Sequence, residues 1–206
     1  EESNAAYLEK ALSAFGIQLT DDDRKALIGT NDKTRIESLL SRSLVKVTAE
    51  DLAGKRRQVG NTYENSCIRP MPGVVSLIQE IRGRGIKTGL VTSTSTRLIM
   101  IALNRMRMTA LFDVVICGDM CANHKPDPEC YKKAMDYLGA EPCKCIVFED
   151  SAVGIHAARL AGARVAAYRG SGIQQDISEA DLIVDSYDEC KDMLDDIMQG
   201  RIMPCK

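Results

Sequence analysis

Apolar residues in the first third of the chain recur at the spacing of helical faces. Leu8, Ala11, Leu12 and Phe15 stand one turn apart on a single face, and Gly16 stops the pattern. Thr20 followed by Asp21, Asp22 and Asp23 reads as an N-cap with an acidic first turn for a second helix reaching Ile28. Ile36, Leu39, Leu40 and Leu44 predict a third helix. Leu52, Arg56, Val59 and Tyr63 predict a longer fourth, weakened by Gly54 and Gly60. Nothing before residue 70 alternates with the period of a strand. The texture changes at Arg69-Pro70-Met71-Pro72-Gly73. Pro72 suits a first helical position, Val74, Leu77, Ile78 and Ile81 form a stripe, and Gly85 ends it. From there short apolar runs alternate with helical stripes. Strands are expected at Ile86–Val91, Phe112–Cys117, Cys145–Phe148, Val165–Tyr168 and Leu182–Val184. Helices are expected around Leu98–Met106, Tyr131–Leu138 and Ala152–Ala161, and a closing one around Cys190–Ile197. That alternation predicts an α/β fold whose parallel sheet is covered on both faces. Residues 1–70 then form a helical domain and residues 71–206 an α/β domain.

The composition narrows what such a protein does. Of 206 residues, 45% are hydrophobic, which suits a packed domain and excludes a disordered one. A net charge of -2 gives no reason to expect nucleic acid or an anionic membrane as partner. No apolar run approaches the ~20 residues that cross a bilayer. The eight cysteines show no paired spacing of a zinc site. Cys130 and Cys190 fall on apolar helix faces, and Cys117 and Cys145 flank or enter apolar strands. They read as reduced thiols acting as small core hydrophobes, so a cytoplasmic location is expected.

In a parallel sheet, chemistry collects at the carboxyl ends of the strands. Val91 leads into Thr92-Ser93-Thr94-Ser95-Thr96, whose hydroxyls and backbone N–H groups suit a phosphate oxygen; plain helix capping is the alternative. Lys125, in His124-Lys125-Pro126-Asp127-Pro128, opens a helix where the dipole disfavours a cation. It makes sense facing an anion, or else as a loop lysine in water. His124 reads as a loop residue and His156 as a helix-surface or packing residue. Glu149 and Asp150 follow four apolar residues directly, where two carboxylates are costly unless solvated or neutralised. Hard oxygen donors there suit Mg²⁺, and an N-cap for the next helix accounts for one acid but not both.

Val91-Thr92, Lys125-Pro126-x-Pro128 and Phe148-Glu149-Asp150-Ser151-x-x-Gly154-Ile155 together resemble the second, third and fourth motifs of the haloacid dehalogenase superfamily. The similarity is to its phosphatase and β-phosphoglucomutase-like subfamily. The resemblance implies a Rossmann-like core with the helical region as a small α-helical cap domain. It implies that Thr92, Ser93 and Lys125 hold a phosphoryl group, with Thr92 and Lys125 catalytic, and that Glu149 and Asp150 hold Mg²⁺, directly or through water. The family's first motif, a strand ending in Asp-x-Asp that carries the nucleophile, has no match. Asp21-Asp22-Asp23 follows Leu19-Thr20 and leads into Arg24, so it reads as a helix start. The expectation is an apolar strand ending in Asp-x-Asp just before Glu1; true loss of the nucleophile is the alternative, and residues 1–206 alone are then expected to be inactive. The implied activity is a Mg²⁺-dependent phosphatase acting on a small phosphorylated metabolite. A sugar-phosphate mutase is less favoured, because Asn4 stands where those mutases place a histidine. A non-catalytic phosphometabolite-binding protein is the third reading. Thr30, Asn31 and Lys33, in a turn between cap helices, are candidates for substrate specificity.

Overall fold

The computed structural model describes residues 2–27, 33–172 and 174–201. The chain divides into two compact units, Glu1–Ile68 and Arg69–Lys206.

The first unit is helical: α1 (Glu2–Ser13), α2 (Asp21–Leu27), α3 (Lys33–Leu40), α4 (Ala49–Val59) and α5 (Thr62–Asn65). Its core is the expected set of stripe residues, with Leu8, Ala11, Leu12, Leu39, Leu40 and Leu52 buried beside Ile17 and Leu19. Thr20 caps α2 reciprocally. Its hydroxyl accepts the Asp23 N–H at 3.2 Å, and the Asp23 carboxylate accepts the Thr20 N–H at 2.9 Å. Asp23 also receives two hydrogen bonds from Arg42, at 2.6 and 3.0 Å, which hold its carboxyl well below the ordinary range. Two expectations need correction. Leu44 lies beyond the end of α3 and is fully exposed. The long fourth helix is two helices, because Gly60 takes φ +98° and ends α4 before Tyr63.

The second unit contains α6 (Val74–Gly83), β1 (Gly89–Val91), α7 (Thr96–Arg105), β2 (Val114–Ile116), α8 (Glu129–Leu138), β3 (Ile146–Glu149) and α9 (Ala152–Leu160). β4 (Arg164–Tyr168), β5 (Leu182–Val184), α10 (Tyr187–Asp192) and α11 (Leu194–Met198) complete it. Pro72 does not start α6; Gly73, at φ +79°, is its N-cap. The closing helix breaks at Met193. Every strand pair is parallel, as the alternation predicts. β1 pairs with β2, Leu90 opposite Val115, while β3, β4 and β5 form a second sheet with Phe148 opposite Ala166. Among the described residues β1 and β3 are each paired along one edge only. Burial follows the pairing: β4, paired on both edges, is almost wholly buried, whereas every residue of β3 is half-buried. Cys117, Cys130 and Cys190 are buried and Cys145 is half-buried, but Cys67 is exposed. No helix among the described residues is long and apolar enough to cross a membrane.

Helix α9 fixes the end of β3 by burying Ile155, Ala157 and Ala158 in one cluster with Ile116 and Val165. Ile155 is 1% exposed, so truncation leaves a cavity the neighbours cannot fill. Ile155→Ala is expected to cost roughly 2–5 kcal/mol of stability, measured by denaturant unfolding.

Candidate active site

The centre of the site is the carboxylate of Glu149, the last residue of β3. Its Oε2 accepts the backbone N–H groups of Asp150 and Ser151, at 3.0 and 3.1 Å, and the Ser151 hydroxyl at 2.9 Å. Its Oε1 accepts the Tyr131 hydroxyl at 2.8 Å and pairs closely with the Lys125 ammonium. The Lys125 and Glu149 side chains are only 8% and 10% exposed. Burial pushes the Glu149 carboxyl up, but Lys125 and the hydrogen bonds from Tyr131 and Ser151 outweigh it, and it sits below its ordinary value. Lys125 is therefore not a loop lysine in water. It faces an anion, and that anion is Glu149.

Local sequence explains this arrangement. Ser151 is the N-cap of α9, its hydroxyl accepting the Gly154 N–H at 3.1 Å. A Cβ at residue 154 would fall on the Glu149 carboxylate itself, so only glycine lets the acid tuck beneath the first turn of α9. The carboxylate of Asp150 is left outside this arrangement. Burial raises its carboxyl above the ordinary value and the neighbouring Glu149 charge adds to it, while the Ser171 hydroxyl offsets part of the rise. The two acids thus differ in kind. Glu149 is saturated by protein donors, whereas Asp150 is a desolvated carboxylate beside another negative charge.

Thr92 and Ser93 stand at the end of β1. The Thr92 N–H donates to the Ile116 carbonyl at 2.9 Å, and the Thr92 hydroxyl accepts the Thr94 N–H at 3.1 Å. The hydroxyls of this loop do not cap α7: Ser95 is the N-cap residue but makes no side-chain bond there. Asp119 serves instead, accepting the Thr96 N–H at 2.9 Å and its hydroxyl at 2.7 Å. Gly118 donates to the Thr94 carbonyl at 2.9 Å, and a Cβ there would collide with the Ser93 backbone. Glu129 holds the loop before Lys125, accepting the N–H groups of Ala122 and Asn123 at 2.9 and 2.8 Å and pairing with Lys133 at 2.7 Å. Asp119, Glu129 and Tyr131 escaped the sequence reading. Tyr131 was legible only as a core position, and the other two carry no periodic signal.

His124 is exposed in its loop, and His156 pairs with Glu179 on the surface at 2.8 Å. Thr30 and Asn31 lie outside the described residues, and of Lys33 only the backbone, at the start of α3, lies within them. Among the described residues no three His, Cys, Asp or Glu side chains cluster as potential metal ligands.

Parallel strands with their polar side chains gathered in the loops at the strand ends define an α/β fold of the class that carries its chemistry there. Residues 1–168 match the haloacid dehalogenase-like hydrolases, and the chain belongs to that family. It is similar to the phosphorylated carbohydrates phosphatase of Thermotoga maritima, with 29% identity over 153 residues, which are 74% of this chain and 71% of that protein. It is also similar to the N-acetylmuramic acid 6-phosphate phosphatase of Pseudomonas aeruginosa, with 27% identity over 198 residues, 92% of this chain and 86% of that one. Among solved structures, a variant of Rhodobacter sphaeroides CbbY in complex with xylulose-(1,5)bisphosphate superposes with a TM-score of 0.78 at 25% identity. That alignment covers 91% of this chain and 88% of the other.

Two outcomes follow from the geometry. Gly154→Ala should expel the Glu149 carboxylate from its seat and break its pair with Lys125; a crystal structure of the variant with that pair intact would contradict this. Glu129 is held at about 2, against an ordinary 4.5, by Lys133 first and then by the two backbone N–H groups. The unfolded chain binds this proton more readily, so the stabilisation is complete above pH 4.5 and is lost as pH falls from there towards 2. Glu129→Gln should flatten the pH dependence of unfolding in that window, followed by thermal melts.

Proposed function

We propose that this hydrolase is a Mg²⁺-dependent phosphatase of small phosphate monoesters, sugar phosphates or related metabolites, working through an aspartyl-phosphate. In this reading a carboxylate attacks phosphorus, the ester oxygen leaves and takes up a proton as the alcohol, and water then hydrolyses the acyl phosphate. Thr92 and Ser93 at the end of β1 hold the phosphoryl oxygens. The observation that carries the reading is the state of Lys125: two of its three N–H donors go to Glu149 and Tyr131, which leaves one aimed elsewhere from a buried, fixed ammonium. A preorganised cation of this kind meets the main demand of phosphoryl transfer, positioning and charge neutralisation.

The donor set suits a hard divalent cation at Asp150. Its carboxylate is partly buried next to the Glu149 charge, and a cation would relieve both costs. Asp150 is then the direct ligand, and Glu149, with both oxygens already engaged, serves by anchoring Lys125. When bound, Mg²⁺ would neutralise charge developing on the phosphoryl oxygens. The attacking aspartate is proposed to come from a strand outside residues 1–206, lying between β1 and β3. The edges of these two strands that stay open among the described residues, and the incomplete burial of the apolar residues of β3, support that placement. The helical unit is proposed as the cap, with Thr30, Asn31 and Lys33 contributing selectivity. The phosphatase names of the two curated relatives, and the sugar bisphosphate bound to CbbY, support the substrate class.

The test is phosphate release from a panel of small monoesters by the protein carrying its Asp-x-Asp strand, with and without chelator. Turnover should vanish in chelator and return with Mg²⁺, and Asp150→Asn should lower kcat/KM at least about 100-fold in a protein that still folds. Full activity in excess chelator would end this reading.

A further inference from the structure

Tyr131 occupies a position that hydrophobic patterning assigns to the core, and its ring is buried there beside Cys130, Ala134 and Met135. Its hydroxyl, however, lies between the two charged groups of the site. It accepts a hydrogen bond from the Lys125 ammonium at 2.9 Å and donates one to Glu149 Oε1 at 2.8 Å. Lys125 also pairs with Glu149 directly, so the three groups close a ring in which each is bonded to the other two. The Lys125 Nζ also stands 4.8 Å from the centre of the Tyr131 ring, within cation–π range.

We propose that Tyr131 is a positioning residue of the phosphoryl site, fixing the direction in which Lys125 presents its remaining N–H. Three features of the geometry point to this role. An ammonium paired with a single carboxylate oxygen can still rotate about its own axis and swing on a flexible four-carbon stem. A second acceptor, set at an angle to the first, removes that freedom. Only a group that both accepts and donates can bond the ammonium and the carboxylate at once, and a hydroxyl on a buried rigid ring does so with little loss of side-chain entropy. Finally, the ring is carried by α8, whose Glu129 also clamps the loop that bears Lys125. One helix therefore holds both the loop just before the lysine and the lysine's head group.

The inference rests on the phosphatase reading for its consequence in turnover, but its physical content is separable. Tyr131→Phe keeps the ring, its packing and its cation–π contact, and removes only the hydroxyl. In ¹H–¹⁵N spectra of the lysine ammonium groups, with Lys125 assigned by its loss in Lys125→Met, the wild-type signal should be sharp and slow to exchange with water. Tyr131→Phe should broaden it or speed its exchange several-fold. In the active protein the same variant should lower kcat on the order of 10- to 100-fold, the range for losing a partner that orients a reacting group, with KM within about twofold. Unchanged ammonium exchange would overturn the proposal whether or not the protein turns over phosphate esters. Unchanged kcat in an enzyme that does turn over would overturn it as well. If the wild-type protein releases no phosphate, the phosphatase reading fails, and the ammonium exchange alone decides the role of Tyr131.

Discussion

A carboxylate taken out of water at the end of a strand is the constraint on which the α/β unit depends. Moving an ion of this kind into a protein interior costs several kcal/mol even after relaxation. Glu149 offsets that cost with five hydrogen bonds from Lys125, Tyr131, Asp150 and Ser151. Each donor fixes something else. The two backbone N–H groups set the turn from β3 into α9, Ser151 caps that helix, and Gly154 must lack a side chain to leave room. Lys125 and Tyr131 tie the loop before α8, and α8 itself, to the same point.

A buried ion pair is a poor source of stability, since apolar residues of the same volume commonly do as well or better. Its value here lies in what it leaves over. Lys125 keeps one donor, and Asp150 keeps a carboxylate whose proton affinity is raised by burial and by the charge beside it. One acid is engaged in architecture, and the other is the metal ligand of the proposed reaction. The division follows from geometry: two backbone N–H groups and the donors of Lys125, Tyr131 and Ser151 converge on Glu149, while the Asp150 carboxylate lies beside that charge.

The loops at the other strand ends are held in the same manner, by carboxylates on backbone N–H groups. Asp119 pins the start of α7 and Glu129 pins the loop carrying Lys125. Such contacts resist thermal motion better than side-chain pairs, because they fix the chain itself rather than the end of a flexible stem. The close approach of Gly118 to Ser93 adds a steric limit to the same loop. What results is a set of polar groups fixed in place by the fold itself, which is the preorganisation that the proposed reaction calls for.

The local spacing of residues determined the α/β class, the parallel pairing, the order of the elements and the strand ends that carry polar groups. Caps such as Thr20 with Asp23 were equally legible, because donor and acceptor lie three residues apart. Periodicity also placed most of the core, including Tyr131. It overreached where a single break outweighed a stripe, at Gly60 and at Leu44. Only the tertiary structure could separate the roles of Glu149 and Asp150, adjacent acids that look alike in a string of residues. Lys125 and Tyr131 meet Glu149 across 24 and 18 positions of chain, a contact set by the packing of α8 against the sheet. The same packing turned a residue that reads as hydrophobic filling into a hydrogen-bond bridge between two charges. Periodicity records which side of an element is buried. It cannot record which polar atom lies opposite once two buried sides meet.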